Sequence, residues 1–135
     1  MTPLIRRATR AMLSANFEHC MANPKFDPLP LVRLFNPMGR AVWLITELYA
    51  DGDTLFGLAD LGFGCPELGI CSLREIEAIR LPMGLTIECD LGFSTRHRLS
   101  VWAEASRLAG SIPDAALLLD RLTREDPSAI RLSPR

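Results

Sequence analysis

Four cysteines and two histidines are the first residues in this chain that could do chemistry: Cys20, Cys65, Cys71, Cys89, His19 and His97. Cys65, Cys71 and Cys89 with either histidine would make a four-ligand zinc set. Structural zinc sites pair their cysteines two to four residues apart, however, and neither gap here has that spacing. Free cysteine is also among the most buried residue types, so the plainer reading is packing. His19 and Cys20 are neighbours on a helical stretch, where successive side chains diverge by about 100°. They do not form a nucleophile and base. A second group is acidic: Glu47, Asp60, Glu67, Glu88 and Asp90 lie on or beside extended segments. If Glu47, Asp60 and Glu67 converged at one sheet edge, they could hold a divalent ion or act as an acid–base pair for hydrolysis. The competing reading, which is preferred, is that Asp60 caps a turn while Glu88 and Asp90 sit on a solvated strand face.

Phosphate chemistry has weaker support. The run LGFGCPELG is rich in glycine but lacks the Gly-Lys-Ser/Thr ending of a P-loop, and Pro66 separates it from the next helix. Gly62, Gly64 and Gly69 are instead expected to supply positive φ in a fixed turn. Arg6, Arg7 and Arg10 could grip phosphate or carboxylate through bidentate contacts, although three arginines on one helix are commonly a solvated face. Lys25 is the only lysine, a bias that GC-rich coding also produces.

The elements that must position these residues follow from periodicity. Thr2 to Met21 reads as a helix with Leu4, Ala8, Ala11, Met12 and Ala15 on one face and the three arginines opposite. Pro24 ends it, and the linker NPKFDPLP follows. Leu31–Phe35, Ala41–Tyr49 and Thr54–Leu61 read as strands separated by the turns Asn36–Gly39 and Asp51–Asp53. The second is apolar on both faces, as a central strand is. Gly62–Gly69 reads as a loop. Ser72 and Glu75 have capping-box spacing for a helix from Leu73 to about Arg80. Leu85, Ile87, Cys89 and Leu91 alternate with polar residues as in a half-buried strand. A helix over Ser100–Ala109, stopped by Gly110, presents Leu99, Trp102, Ala103 and Ser106. A last helix begins near Pro113 and carries Leu118, Leu119 and Leu122. The expected fold is therefore α+β: a mostly antiparallel four-stranded sheet, a three-strand meander plus one, with helices covering one face in the order α-β-β-β-α-β-α-α. Residues 1–125 form one domain in this reading, and the segment from Asp126 frays.

At 135 residues, 48% hydrophobic and 23% charged, the chain has material for one core and no compositional sign of disorder. Its net charge of −1 draws it towards neither nucleic acid nor anionic lipid, and makes it a poor mimic of a polyanion. No apolar run is long enough for a membrane span or a signal-peptide core. A cytoplasmic protein with reduced cysteines is expected, and no cofactor.

Several segments in order carry a resemblance: LVRLF, AVWLITEL, LFGLADLGFGCPELG, SLREIEAIR, GLTIECDLGF and LSVWAEASR. This series resembles a family of small bacterial proteins known as domain of unknown function 2958, over roughly Pro3 to Arg107. Cys89 stands where the family commonly has arginine, and the helix after Gly110 lies outside the likeness. The resemblance brings no activity and no catalytic residue. It implies a setting in plasmids, integrative elements and phages, where small proteins without catalytic motifs commonly block host defence by binding. The expectation is thus a non-enzymatic, stoichiometric binder of a protein partner, such as a nucleoprotein host defence complex of anti-CRISPR or antirestriction type. Its contact residues are expected at Arg6, Arg7 and Arg10, or at Phe63, Cys65, Pro66 and Glu67. The alternatives are a metal-dependent hydrolase using Glu47, Asp60 and Glu67, and a small nucleic-acid-binding accessory protein.

Overall fold

The computed structural model of the chain describes residues 2–125, so the expectation for the segment from Asp126 lies outside the described residues. Helix α1 (Arg7–Ala22) leads to strands β1 (Val32–Phe35), β2 (Val42–Leu48), β3 (Thr54–Asp60) and β4 (Glu67–Ser72). Helix α2 (Leu73–Ala78), a 3-10 turn at Pro82–Gly84, strand β5 (Glu88–Cys89), helix α3 (Leu99–Ala109) and helix α4 (Ile112–Glu125) follow. The sheet has five strands in the order β4-β3-β2-β1-β5, and every neighbouring pair is antiparallel. The α+β architecture is as expected. The strand count is not, because Glu67–Ser72 is a strand rather than a loop. A glycine- and proline-rich run hid the short apolar stretch Leu68–Cys71, which pairs with β3 from Glu67↔Ala59 to Ser72↔Thr54. Gly69 accordingly lies in the ladder, while Gly62 and Gly64 do take positive φ in the turn.

Helices cover both faces of the sheet, not one. On the first face, Ile5 and Leu13 of the N-terminal segment, Leu73 and Ile76 of α2, and Ile87 pack against Val32, Leu34, Trp43, Ile45 and Leu55. On the second, Leu99, Trp102 and Ala105 of α3 with Ile112, Ala115 and Leu119 of α4 pack against Val42, Leu44 and Leu58. All seven residues of β2 are buried. A strand apolar on both sides requires two covers, since alternate side chains point to opposite faces. A bulge between Ile45 and Glu47 shifts the β2–β3 register. Gly57 sits opposite it, where a Cβ would lie 2.0 Å from the Leu44 carbonyl oxygen, so only glycine permits this approach.

The remaining departures have local causes. α1 starts at Arg7, and its buried side is set by Leu13, with Asn16, Phe17 and Cys20 half-buried beside it. Ala8, Ala11, Met12 and Ala15 are exposed. The alanines have little area to bury, and Leu13 with Phe17 sets the rotation, leaving Met12 outside. The strand expected over Leu85–Leu91 pairs with β1 only at Glu88 and Cys89, and Leu85 and Leu91 are exposed. The helix from Leu73 ends at Ala78, short of Arg80. It keeps half of its capping box: the Glu75 amide donates to Ser72 Oγ at 3.2 Å. Asp53 adds to the cap, accepting from Ser72 Oγ at 2.9 Å and from the Arg74 amide at 2.8 Å. Gly110 ends α3 in the left-handed region at φ 87°. The proline-rich linker has a structural task, since Asp27 accepts from the Ser100 amide at 3.2 Å and thereby caps α3.

Candidate functional site

The residues singled out for chemistry do not converge. Glu47 pairs with Phe56 and Asp60 with Val42, so five residues of strand, roughly 16 Å, separate them. Glu67 pairs with Ala59 and is exposed. Alternation places it on the opposite face from Asp60. Cys65 and Cys71 belong to the β4 edge and Cys89 to the β5 edge, with three strands between. His19 stacks on Phe26, ring centroids 3.7 Å apart, and His97 meets Trp102 edge-on at 6.4 Å. Among the described residues, no group of three or more His, Cys, Asp or Glu is placed to hold a metal ion.

Electrostatics point the same way. Burial, followed by the Glu47 carboxylate, pushes the Cys20 thiol up to about 11. Burial, followed by Asp53 and Glu75, does the same for Cys71. Burial and Asp90 raise Cys89 against a smaller opposing pull from Arg6. Thiols held protonated at neutral pH are poor nucleophiles and poor ligands. Burial also lifts the Glu47 carboxyl above its usual range. Asp60, 1% exposed, is fully engaged: Oδ1 accepts the Gly62 amide at 2.9 Å and Oδ2 the Ile112 amide at 2.8 Å. It therefore ties the end of β3 to the first residue of α4, a structural role.

A cleft of about 620 Å³ opens beside this tie, between the β1–β2 turn, the end of β3 and the α3–α4 junction. Arg33, Phe35, Arg40 and Asp114 are among its lining residues. Arg33 faces Asp90 at 3.5 Å and lies over the Phe35 ring at 5.1 Å. The first amides of α4 are already satisfied, Ile112 by Asp60 and Asp114 by Ser111 Oγ at 3.1 Å. The cleft thus brings together no nucleophile with a base.

The two expected contact surfaces fare differently. Arg6 and Arg7 are exposed at the start of α1, and Arg6 lies close enough to Cys89 to act on its thiol, at the β5 edge. Arg10 does not point away from the core with them. It is half-buried, and its Nε has no hydrogen-bond partner among the described residues. The β3–β4 hairpin is the more exposed surface. Phe63 is 83% exposed at its tip, Cys65 and Glu67 are exposed, and Pro66 is half-buried. Cys65 Sγ approaches the Phe63 carbonyl oxygen at 3.6 Å. Leu61, Leu68 and Ile70, outside the expected contact set, are exposed on the same hairpin. The signal was present as an apolar run between Pro66 and the helix cap at Ser72. The glycines and proline of the expected Gly62–Gly69 loop mask it.

Among the described residues no helix is long and apolar enough to cross a membrane. No curated protein and no solved structure matches the chain. One family model does match, over residues 4–113, and it ends at the second residue of α4, so that most of this helix stands outside it. Since that span takes in the whole five-stranded sheet and more than half of the chain, the chain belongs to the family described as protein of unknown function DUF2958.

Proposed function

We propose that this chain is a non-enzymatic binding protein that occupies a surface of a protein partner, with the tip of the β3–β4 hairpin as its main contact. The observation that carries this reading is Phe63, 83% exposed in a turn whose backbone is held by the Gly62–Asp60 hydrogen bond. An aromatic ring presented on a fixed loop is ready to fill a partner's apolar pocket with little ordering cost, and interface energy concentrates in such anchors. Leu61 and Cys65 extend the apolar contact, while Pro66 stiffens the return into β4. The dispersal of the carboxylates, and the burial that raises the Cys20, Cys71 and Cys89 thiols, favour binding over catalysis. In the mobile-element setting that the resemblance implies, the partner is a host defence complex, and the chain acts in the cytoplasm as its stoichiometric inhibitor.

The test is a titration against a partner captured from host lysate. Binding is expected to saturate at one chain per site. Phe63→Ala is expected to weaken it by about tenfold or more while the unfolding midpoint stays unchanged. Full effect far below one copy per target, or undiminished binding by Phe63→Ala, overturns the proposal. Arg6→Glu combined with Arg7→Glu is the comparison arm. Loss of binding there, with none at Phe63, moves the contact to the start of α1.

A further inference from the structure

We propose that β4 pairs with β4 of a second copy of this chain, joining two five-stranded sheets across a twofold axis at Gly69. β4 is an edge strand six residues long, with Leu68 49% and Ile70 66% exposed. Natural sheets protect such edges with charges, prolines, bulges or brevity. Pro66 and Glu67 guard only the start of this strand, and from Leu68 to Cys71 it has no such device. The opposite edge does, because β5 is two residues long and flanked by Asp90.

The register identifies the occupant. The Leu73 amide donates to the Asp53 carbonyl at 2.9 Å, so odd-numbered residues of β4 direct their main-chain groups at β3. By alternation, Leu68, Ile70 and Ser72 direct theirs outward. Antiparallel pairing about Gly69 sets Leu68 opposite Ile70 of the second copy, and Ile70 opposite its Leu68. All four pairs of outward N–H and C=O groups then meet. The four side chains, two from each strand, fall on one face as apolar cross-strand pairs. Gly69 meets its own copy at the close, non-hydrogen-bonded position, and a Cβ there would touch nothing within 4 Å in the single chain. Ser72 comes opposite Pro66 of the second copy. Proline has no N–H to give, and the Ser72 carbonyl belongs to the first turn of α2 and needs none. The Ser72 amide finds the Pro66 carbonyl.

Charge agrees with this register. Glu67 comes opposite Cys71 of the second copy, so the two Glu67 carboxylates stand about 13 Å apart along the ladder, clear of one another. Each lies instead towards the start of the other copy's α2, where Arg74 forms no ion pair among the described residues. The hairpin tips lie at the two ends of the shared ladder, so Phe63 stays free. The pairing is independent of which partner that tip meets.

Light scattering of the full chain over a dilution series tests this without any partner. A dimer is expected at high concentration, with Ile70→Lys raising its dissociation constant by about tenfold or more. Gly69→Cys is the geometric arm: the axial pair has the spacing a disulfide needs. Mild oxidation is expected to cross-link Gly69→Cys far faster than either the natural chain or Leu85→Cys. A chain that remains monomeric throughout, which would leave the edge to a foreign strand, overturns the proposal. So does a dimer indifferent to Ile70→Lys, or one in which Gly69→Cys links no faster than Leu85→Cys. If Ile70→Lys fails to fold, the cross-linking arm alone decides.

Discussion

β2 and β4 are both apolar strands of one antiparallel sheet, one strand apart, and they do opposite work. β2 has a neighbour on each side and a pair of helices against each face, so all seven of its residues are buried. β4 has one neighbour, and four of its six residues are exposed. An apolar side chain in the first strand holds the fold together. In the second it is available to something else. Position in the sheet, rather than residue type, assigns the role.

The largest expected effect comes from β2. Trp43→Ala empties a buried site and is expected to cost about 3–5 kcal/mol by denaturant titration; an unchanged midpoint would break the contrast at its root. Asp60, at the end of the intervening β3, comes next. Asp60→Ala leaves the Gly62 and Ile112 amides without their acceptor, for about 2–4 kcal/mol, and hydrogen exchange in the first turn of α4 should quicken. At the junction of β4 with α2, Ser72→Ala removes the helix cap and is expected to cost about 1 kcal/mol.

Smaller still is Ile70→Ala. At concentrations where the chain is monomeric, it should change stability by no more than about 0.5 kcal/mol. A loss as large as that at Trp43 would mean that β4 is part of the core. Glu47 sharpens the comparison from the buried side. Its carboxyl is raised by burial, so the folded state holds the proton more tightly than the unfolded chain does. Stability therefore falls as pH rises from the ordinary glutamate range through the raised folded value, and it stays lower above it. Glu47→Gln should flatten that slope without destabilising the protein at neutral pH.

How much of this was legible in the sequence depended on how strongly each segment was patterned. β1 to β3, α3 and the stop at Gly110 follow from period and punctuation, because burial and turn chemistry there agree. The helix over Arg7–Ala22 was legible as a helix but not in its rotation. Its alanines marked a face in the sequence, while the larger Leu13 and the half-buried Phe17 chose another. β4 was hidden because glycine and proline signals outweighed a four-residue apolar run, and its register exists only relative to β3. The second covered face was implied by β2 itself, whose residues were apolar on both sides. At the hairpin, Phe63 was legible as a possible anchor. Leu68 and Ile70 were not, since exposure at an edge is a property of the sheet and not of the strand's own sequence.

The two-sided core also sets an order of events during synthesis. Helix α1 and strands β1 to β4 are complete at Ser72, and α2 with Ile87 closes the first face soon after. The cover for the second face begins only at Leu99 and is finished by α4. Until α3 and α4 are made, Val42, Leu44 and Leu58 have beside them Phe35 and Phe56 but neither of the helices that later cover them. Apolar surface exposed in this way during folding is prone to aggregation. The late α3–α4 pair therefore acts as the closing step. Its anchors lie far upstream, at Asp27 in the linker and at Asp60, which accept the Ser100 and Ile112 amides.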